Sequence, residues 1–240
     1  MLKRALFLIA LLAPVVAPQT ALAQLRWLEG KHYTTLPTPT PYEAPPGKIE
    51  VTEVFSYGCP ACNGALPAMN KLKAALPPDA VMNYLHASFV PSEAWPMFQQ
   101  AYLTAKALGI AASTHDLMFI AIWSSGEIPL TDRATGRIRQ PLPTIEDAAR
   151  FYSRHTQVKE AQFLEMARSF GIAAQIKRAD ELVKTWRIPS TPSLVVNGRY
   201  LVNMQEAGSW DNVTQIVLFL VSQERQRMKN GQTMKPDHEG

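Results

Sequence analysis

The chain of 240 residues contains only two cysteines, Cys59 and Cys62, and this scarcity narrows the chemistry of its thiols. One pair cannot build the framework of several disulfides that supports small secreted domains. A zinc site needs two further ligands, and neither a second C-x-x-C motif nor a close histidine pair is present. A c-type haem needs a histidine after the second cysteine, but Asn63 stands there. The C-x-x-C spacing is therefore the feature that indicates what these two thiols do.

Long apolar runs are also scarce, and the one at residues 6–12 lies near the N-terminus. Lys3 and Arg4 precede this run, and a small-residue A-x-A signal ending at Ala23 follows it. The run is too short to span a bilayer, although an uncleaved anchor is the alternative. We interpret the first 23 residues as a signal peptide cleaved after Ala23. The exported chain would then have 217 residues, and its disulfides could persist outside the cytosol.

The sequence lacks the charge pattern of a nucleic-acid-binding protein. The formal net charge is +4, and the predicted signal peptide holds two of the positive charges, which leaves +2. The basic stretch at 223–229 is typical of a solvated helix end rather than of a binding surface. We therefore expect no nucleic-acid partner, and we expect the exported protein to be soluble and monomeric.

The predicted elements form a small mixed sheet with a helical block inserted between its strands. A helix should begin at Cys59 and Pro60, since proline suits the first helical turn, and Pro67 should kink it. Within the block, Ser113, Thr144 and Gly171 are start or stop signals for helices. β-branched and aromatic residues predict strands at 31–37, 48–56 and 80–89, with a proline-rich loop at 38–47.

The segments after the block complete this pattern. The Asn197-Gly198 dipeptide predicts a tight hairpin between two apolar strands, and a last amphipathic helix at 209–228 precedes a mobile tail. The Gly/Pro-rich segment 126–143 is either a loop or a small hairpin. The fold class is therefore α/β. The sheet-bearing domain comprises 24–91 and 188–240, and the all-helical insertion comprises 92–187.

The position of Cys59 at the start of a helix predicts a reactive thiol. Unpaired N–H groups and the positive end of the helix dipole favour its thiolate, which is both the nucleophile and the better leaving group. Cys62 lies one helical turn further on and can close a disulfide with Cys59, while Pro60 stiffens the turn between them. We assign Cys59 as the attacking thiol and Cys62 as the resolving thiol. An inert structural disulfide is the alternative.

Around these residues the sequence resembles the DsbA family of periplasmic thiol:disulfide oxidoreductases. The motifs WLEGKHYTTLP, EVFSYGCPAC and STPSLVVNGRY carry the resemblance, which covers almost all of the predicted exported chain. It implies a thioredoxin fold with an inserted helical domain and a redox-active Cys59–Cys62 disulfide. It also implies reduced, unfolded exported proteins as substrates and a membrane reoxidase resembling DsbB. No metal and no organic cofactor is expected.

The resemblance assigns roles to three further residues. Thr191-Pro192 matches the cis-proline loop that faces the redox pair, where an extended substrate could add as a strand. Glu53 matches an acidic residue beneath the pair that exchanges a proton with Cys62, with a pKa raised by burial. The alternatives are an ordinary trans proline and an exposed strand glutamate.

Two positions depart from the family pattern. Ala61 replaces the histidine that the best-known members carry between Pro60 and the second cysteine. Because no imidazole can stabilise the Cys59 thiolate there, we expect a less acidic thiol and a less oxidising couple than in those members. Pro67 is more similar to the helix proline of thioredoxin.

Two other interpretations of the function remain open at this point. The same fold could serve a reductase or isomerase, and an exported peptide-binding module could carry a structural disulfide. Apolar side chains of the block could line a substrate groove, but at helical spacing they are more typical of a core. These are Trp95, Met97, Phe98, Met118, Phe119 and Trp123. Of the histidines, His86, His115 and His155 are expected to be core or surface residues rather than ligands.

Overall fold

The computed structural model describes residues 26–132 and 134–233, without the side chains of 231–233. The predicted signal peptide and its cleavage site lie outside the described residues. Five strands form one mixed sheet in the order β1-β5-β4-β2-β3. Only β2 and β3 pair in parallel within this sheet. The strands are β1 (Tyr33–Thr35), β2 (Ile49–Phe55), β3 (Ala80–His86), β4 (Ser193–Val196) and β5 (Tyr200–Val202).

Helices cover both faces of the sheet. The helices, in chain order, are α1 (Pro60–Ala75), α2 (Trp95–Ala107), α3 (Ala111–Ile120), α4 (Ile145–His155), α5 (Glu160–Ala167), α6 (Phe170–Thr185), α7 (Met204–Ala207) and α8 (Trp210–Thr233), and α3 continues into a π-helical turn (Ala121–Ser125). Val51 packs with α1 and α8, whereas Val54 on the opposite face of β2 packs with α6. Every residue of β2 is buried, as expected for a central strand covered on both sides.

The predicted order of elements is confirmed, and the fold class with it. The helical block, from α2 to α6, follows β3 and encloses its own core, to which Phe55 also contributes. Helix α6 takes part in both cores, because Ile172 packs within the block and Leu182 packs against the sheet. The domain boundaries at 91/92 and 187/188 stay a prediction. Among the described helices, none is long and apolar enough to cross a membrane.

Several helix ends differ from the sequence-based predictions. Thr144 caps α4 with a complete capping box, as expected. Ser113 instead lies inside the first turn of α3, which begins at Ala111. Its hydroxyl donates to the carbonyl of Ile110 and does not cap N–H groups. Gly171 lies in the first turn of α6, which Ser169 caps.

The predicted kink in α1 and the predicted end of α8 have different outcomes. Helix α1 runs through Pro67 without a break, and the predicted kink stays a prediction. Helix α8 continues to Thr233, five residues beyond the predicted end, since no proline interrupts residues 229–233. The predicted end of this helix was therefore wrong, and the mobility of the tail stays a prediction.

The predicted hairpin at Asn197-Gly198 is confirmed. Both residues have positive φ angles, 50° and 59°, which is the combination that a type I′ turn requires. At Gly198 a Cβ atom would collide with the backbone of Thr40, so the turn is also closed in by the loop before β2. The segment 126–143 contains a small antiparallel bridge between Thr131 and Ile138, as the hairpin alternative anticipated.

Replacing Gly198 by alanine should cost more stability than the same change at Gly109. Both glycines have positive φ angles, which cost an alanine about 1–2 kcal/mol. Nothing lies within 4 Å of a Cβ at Gly109, but one at Gly198 meets backbone. We expect urea denaturation to show a loss of more than about 3 kcal/mol for Gly198→Ala, because overpacking adds to the strain. Equal losses at the two positions would contradict the close approach to Thr40.

Candidate active site

The two cysteines lie where β2 leads into α1, and both are free thiols. Cys59 has extended backbone angles, φ −90° and ψ 116°, and caps the helix with its side chain. Its Sγ atom accepts a hydrogen bond from the N–H of Cys62 at 3.4 Å. Pro60, whose missing N–H costs nothing in a first turn, is the first residue of the helix. The predicted helix start is therefore confirmed.

The surroundings shift the acidities of the two thiols in opposite directions. A hydrogen bond from the Cys62 thiol is the largest influence on Cys59 and lowers its pKa to about 6, although burial opposes this. A hydrogen bond from the Thr191 side chain and others from the N–H groups of Cys62 and Ala61 act in the same direction. Burial, followed by the neighbouring Cys59, raises the pKa of Cys62 far above the ordinary thiol range. Of the two thiols, only Cys59 can carry a negative charge near neutral pH.

The loop before β4 contains a cis peptide bond between Thr191 and Pro192, so the predicted cis geometry is confirmed. The Cys59 thiol donates a hydrogen bond to the carbonyl oxygen of Thr191, and Sγ lies 3.4 Å from that oxygen. Pro192 also borders a pocket of about 340 Å³ between this loop, β5 and the start of α7. The loop thus places the backbone carbonyl of Thr191 beside the reactive sulfur.

Glu53 is buried within the sheet, so the alternative of an exposed glutamate was wrong. It is 2% exposed and stands between Tyr84 on β3 and Leu194 on β4. Its Oε2 atom has no hydrogen-bond partner among the described residues. Burial raises the pKa of Glu53 to about 8, and the charges of Cys59 and Asp116 add to the effect. Its carboxyl group is therefore mostly protonated at neutral pH.

The loop that leads into Cys59 depends on residues that the sequence interpretation missed. The backbone N–H of Tyr57 donates to Nε2 of His86 at 3.1 Å. Its carbonyl accepts from Nε1 of Trp123 at 2.9 Å. His86 comes 29 residues later in the chain and Trp123 comes 66 residues later. No local motif could have paired them with Tyr57.

The six apolar residues of the block divide between core and surface. Trp95, Phe98, Met118 and Phe119 are buried in the core of the block, as the core alternative anticipated. Met97 and Trp123 are partly buried against it. We therefore assign no groove to these side chains.

The three histidines are core or surface residues, as predicted. His86 and His115 are buried, and burial lowers the pKa of each to about 3, so both are neutral. His155 lies near the surface and contacts Glu127 at 3.0 Å. Within the described ranges, no cluster of three or more histidine, cysteine, aspartate or glutamate residues could hold a metal ion.

A mixed sheet with helices on both faces, a C-x-x-C pair at a helix start and a facing cis-proline define a class of protein. It is the class of thioredoxin-fold thiol:disulfide oxidoreductases. The chain is 35% identical over 196 residues to the thiol:disulfide interchange protein DsbA of Azotobacter vinelandii, covering 82% of this chain and 84% of that relative. It is 31% identical over 200 residues to DsbA of Pseudomonas aeruginosa, covering 83% and 87%. The chain therefore belongs to the DsbA family.

Solved structures agree with this assignment. The crystal structure of P. aeruginosa DsbA matches with a TM-score of 0.71 and 30% identity, over 86% of this chain and 98% of that chain. DsbA from Xylella fastidiosa matches with a TM-score of 0.70 and 30% identity, over 82% and 97%. No protein-family model matches the chain. The protein is thus an enzyme of thiol:disulfide exchange, and the alternative of a binding module with a structural disulfide was wrong.

The acidity of Cys59 should appear in the pH dependence of its alkylation. In the reduced protein, the rate at Cys59 should rise tenfold per pH unit below about 6 and level off above it, because only the thiolate reacts. Cys62→Ala removes the largest stabilising hydrogen bond, so the levelling should move to higher pH. Iodoacetamide labelling followed by mass spectrometry measures both curves, with the urea-unfolded protein as the control. A plateau reached only at the pH of the unfolded chain would contradict the assignment.

Proposed function

We propose that the protein works in the periplasm as a dithiol oxidase that introduces disulfide bonds into reduced, unfolded exported proteins. The observation that supports oxidation of substrates, rather than their reduction, is the stabilised thiolate of Cys59 at the start of α1. A stabilised thiolate lowers the free energy of the reduced enzyme relative to its disulfide form. The disulfide form then accepts electrons readily, which is what an oxidant of other proteins needs.

The reaction takes two exchange steps. A substrate thiolate attacks Sγ of Cys59, the Cys59–Cys62 bond breaks, and Cys62 leaves as a thiolate that takes a proton from Glu53. A second substrate thiolate then attacks the substrate sulfur of the mixed disulfide, and Cys59 leaves as its stable thiolate. Two electrons pass from the substrate to the enzyme, and the substrate keeps a new disulfide. The proposal needs no metal and no organic cofactor.

The substrate-binding role belongs to Thr191 and Pro192. The position of the Thr191 carbonyl, 3.4 Å from Sγ of Cys59, supports this role. An extended substrate segment could hydrogen-bond to the backbone of this loop while its cysteine reaches Cys59. Main-chain pairing does not depend on side-chain identity, which suits an enzyme that accepts many unfolded chains. A membrane protein resembling DsbB would reoxidise the pair after each turnover, and the enzyme would act as a monomer.

A reductase or isomerase is the second candidate, and Ala61 is the observation that favours it. The position between Pro60 and Cys62 carries a methyl group, so no side chain there can donate a hydrogen bond to the Cys59 thiolate. Less thiolate stabilisation makes a couple less oxidising. The geometry nevertheless provides donors from Cys62, Thr191 and the helix backbone, and for this reason we favour the oxidase.

The reduction potential of the Cys59–Cys62 couple separates the two candidates. Reference values are about −120 mV for DsbA itself and about −270 mV for thioredoxin; both come from those known proteins and not from this chain. We expect equilibration with glutathione to give a value nearer the first and a rise in the Ala61→His variant. A value near the thioredoxin end would overturn the oxidase proposal. An unchanged value in Ala61→His would contradict the role assigned to this position.

Replacing Glu53 by glutamine should slow the oxidation of a reduced two-cysteine peptide about a hundredfold near neutral pH, at the low end of general acid catalysis. The reason is that the variant has no proton to give to Cys62. In the disulfide form that starts this reaction, burial still raises the pKa of Glu53 but the Cys59 charge is absent, so Glu53 also loses that proton as the pH rises, at a pH below about 8. The ratio of the two rates should therefore shrink with increasing pH. Stopped-flow measurement of peptide oxidation between pH 6 and pH 9, on the order of one point per half unit, tests this.

Glu50→Gln is the matched control, because Glu50 is also a buried carboxylate on β2. It accepts hydrogen bonds from the N–H groups of Tyr42, Glu43 and Ala44, so its role is to hold the preceding loop. This variant should lose stability but keep the rate and pH profile of the wild type. A Glu53→Gln profile parallel to that of the wild type at every pH would remove the proton-transfer role.

A further inference from the structure

The loop between β2 and α1 has no strand or helix to satisfy the backbone of Tyr57, a fully buried residue. Side chains from two other elements satisfy it instead. His86 at the end of β3 accepts from its N–H at 3.1 Å, and Trp123 donates to its carbonyl at 2.9 Å. A buried carbonyl without a donor is costly, so the loop conformation depends on the indole of Trp123.

Trp123 reaches this carbonyl from an unusual piece of backbone. It lies in the π-helical turn Ala121–Ser125, which ends at Gly126 with a left-handed φ of 73°. Such turns are rare and concentrate at functional sites, because an inserted residue redirects the side chains of a helix. The turn directs the N–H of Trp123 toward the redox domain, while the buried Ile122 packs in the core of the block.

Hydrogen bonds and close packing also hold the other residues of the loop around Tyr57. The N–H of Cys59 donates to the carbonyl of Ser56 at 3.1 Å, and the N–H of Gly58 donates to the Ser56 hydroxyl at 3.2 Å. A Cβ on Gly58 would lie 2.9 Å from the indole of Trp95, so nothing larger than glycine fits there. A displacement of the Tyr57 carbonyl therefore passes directly to Cys59, two residues further on.

We propose that Trp123 is a positioning residue for Cys59, and that its indole N–H holds the Tyr57 carbonyl so that the Cys59 sulfur stays at the helix start. There the sulfur receives hydrogen bonds from the Cys62 thiol and from backbone N–H groups. Without the indole N–H, the loop shifts to hydrate the freed carbonyl and the thiolate loses part of this stabilisation. The helical block thereby tunes the redox pair through one hydrogen bond. The inference rests on Cys59 being the acidic thiol of the proposed function.

The test is Trp123→Phe, which keeps an aromatic ring and removes the N–H donor. We expect the pKa of Cys59 to rise by about half a unit to one unit, which lowers the thiolate fraction at pH 5 about three- to tenfold. The equilibrium constant for reduction by glutathione near neutral pH should fall about two- to fivefold, since the reduced form is less stabilised. Alkylation rates against pH and glutathione equilibration measure the two quantities.

Trp186→Phe is the matched control. Trp186 is fully buried and its Nε1 atom donates to the carbonyl of Thr40 at 3.0 Å, but it packs against the opposite face of the sheet. This variant should lose thermal stability while the pKa of Cys59 and the glutathione constant stay those of the wild type. An equal shift of the Cys59 pKa in both variants would show general loosening and overturn the inference.

A second replacement keeps the test decisive if Trp123→Phe folds poorly. Benzothienylalanine at position 123 keeps the bicyclic shape of the indole and replaces only its N–H by sulfur. We expect the same direction of change with near wild-type stability. If wild-type Cys59 is acidic and this variant matches it, the positioning role is refuted and the oxidase proposal stands. If wild-type Cys59 titrates as an ordinary thiol, both the oxidase proposal and this inference fail.

Discussion

The arrangement of the active site depends on one interaction, the stabilisation of a negative charge on Sγ of Cys59 at the start of α1. Burial of this sulfur works against the charge, and the hydrogen bonds from Cys62, Thr191 and the helix backbone outweigh burial. These donors act only over hydrogen-bond distances, so the sulfur has to be held closely in place. The elements that meet at Cys59 can be understood as the parts that hold it there.

Three parts of the chain converge on the surroundings of this sulfur. Strand β2 carries the buried Glu53 and leads directly into the loop before Cys59. The loop before β4 places the Thr191 carbonyl beside Sγ, and the tight Asn197-Gly198 turn fixes β4 against β5. The helical block contributes Trp123, which holds the same loop from outside the sheet. The helical block thus contacts the loop that leads to the redox pair.

Local chemistry explains which features the sequence could reveal. The Asn197-Gly198 turn and the Thr144 capping box were predictable because the residues that determine them lie within a few positions. Ser113 misled because a serine inside a first turn and a capping serine look alike in sequence. The cis-proline became predictable only through the family resemblance. The contacts of Tyr57 with His86 and Trp123 were not predictable, since they join segments 29 and 66 residues apart and no periodic pattern marks them.

The three acidic groups of the site behave as one unit that holds a single negative charge. When Cys59 is a thiolate, its charge helps to raise the pKa of Glu53 to about 8 and raises that of Cys62 as well. Both neighbours then keep their protons in the reduced enzyme. When the disulfide forms, the charge on Cys59 disappears and Glu53 loses one reason to stay neutral. If Glu53 exchanges a proton with Cys62 as proposed, that proton follows the redox state, and the site exchanges two electrons without burying a second charge, which would be costly in so apolar a setting.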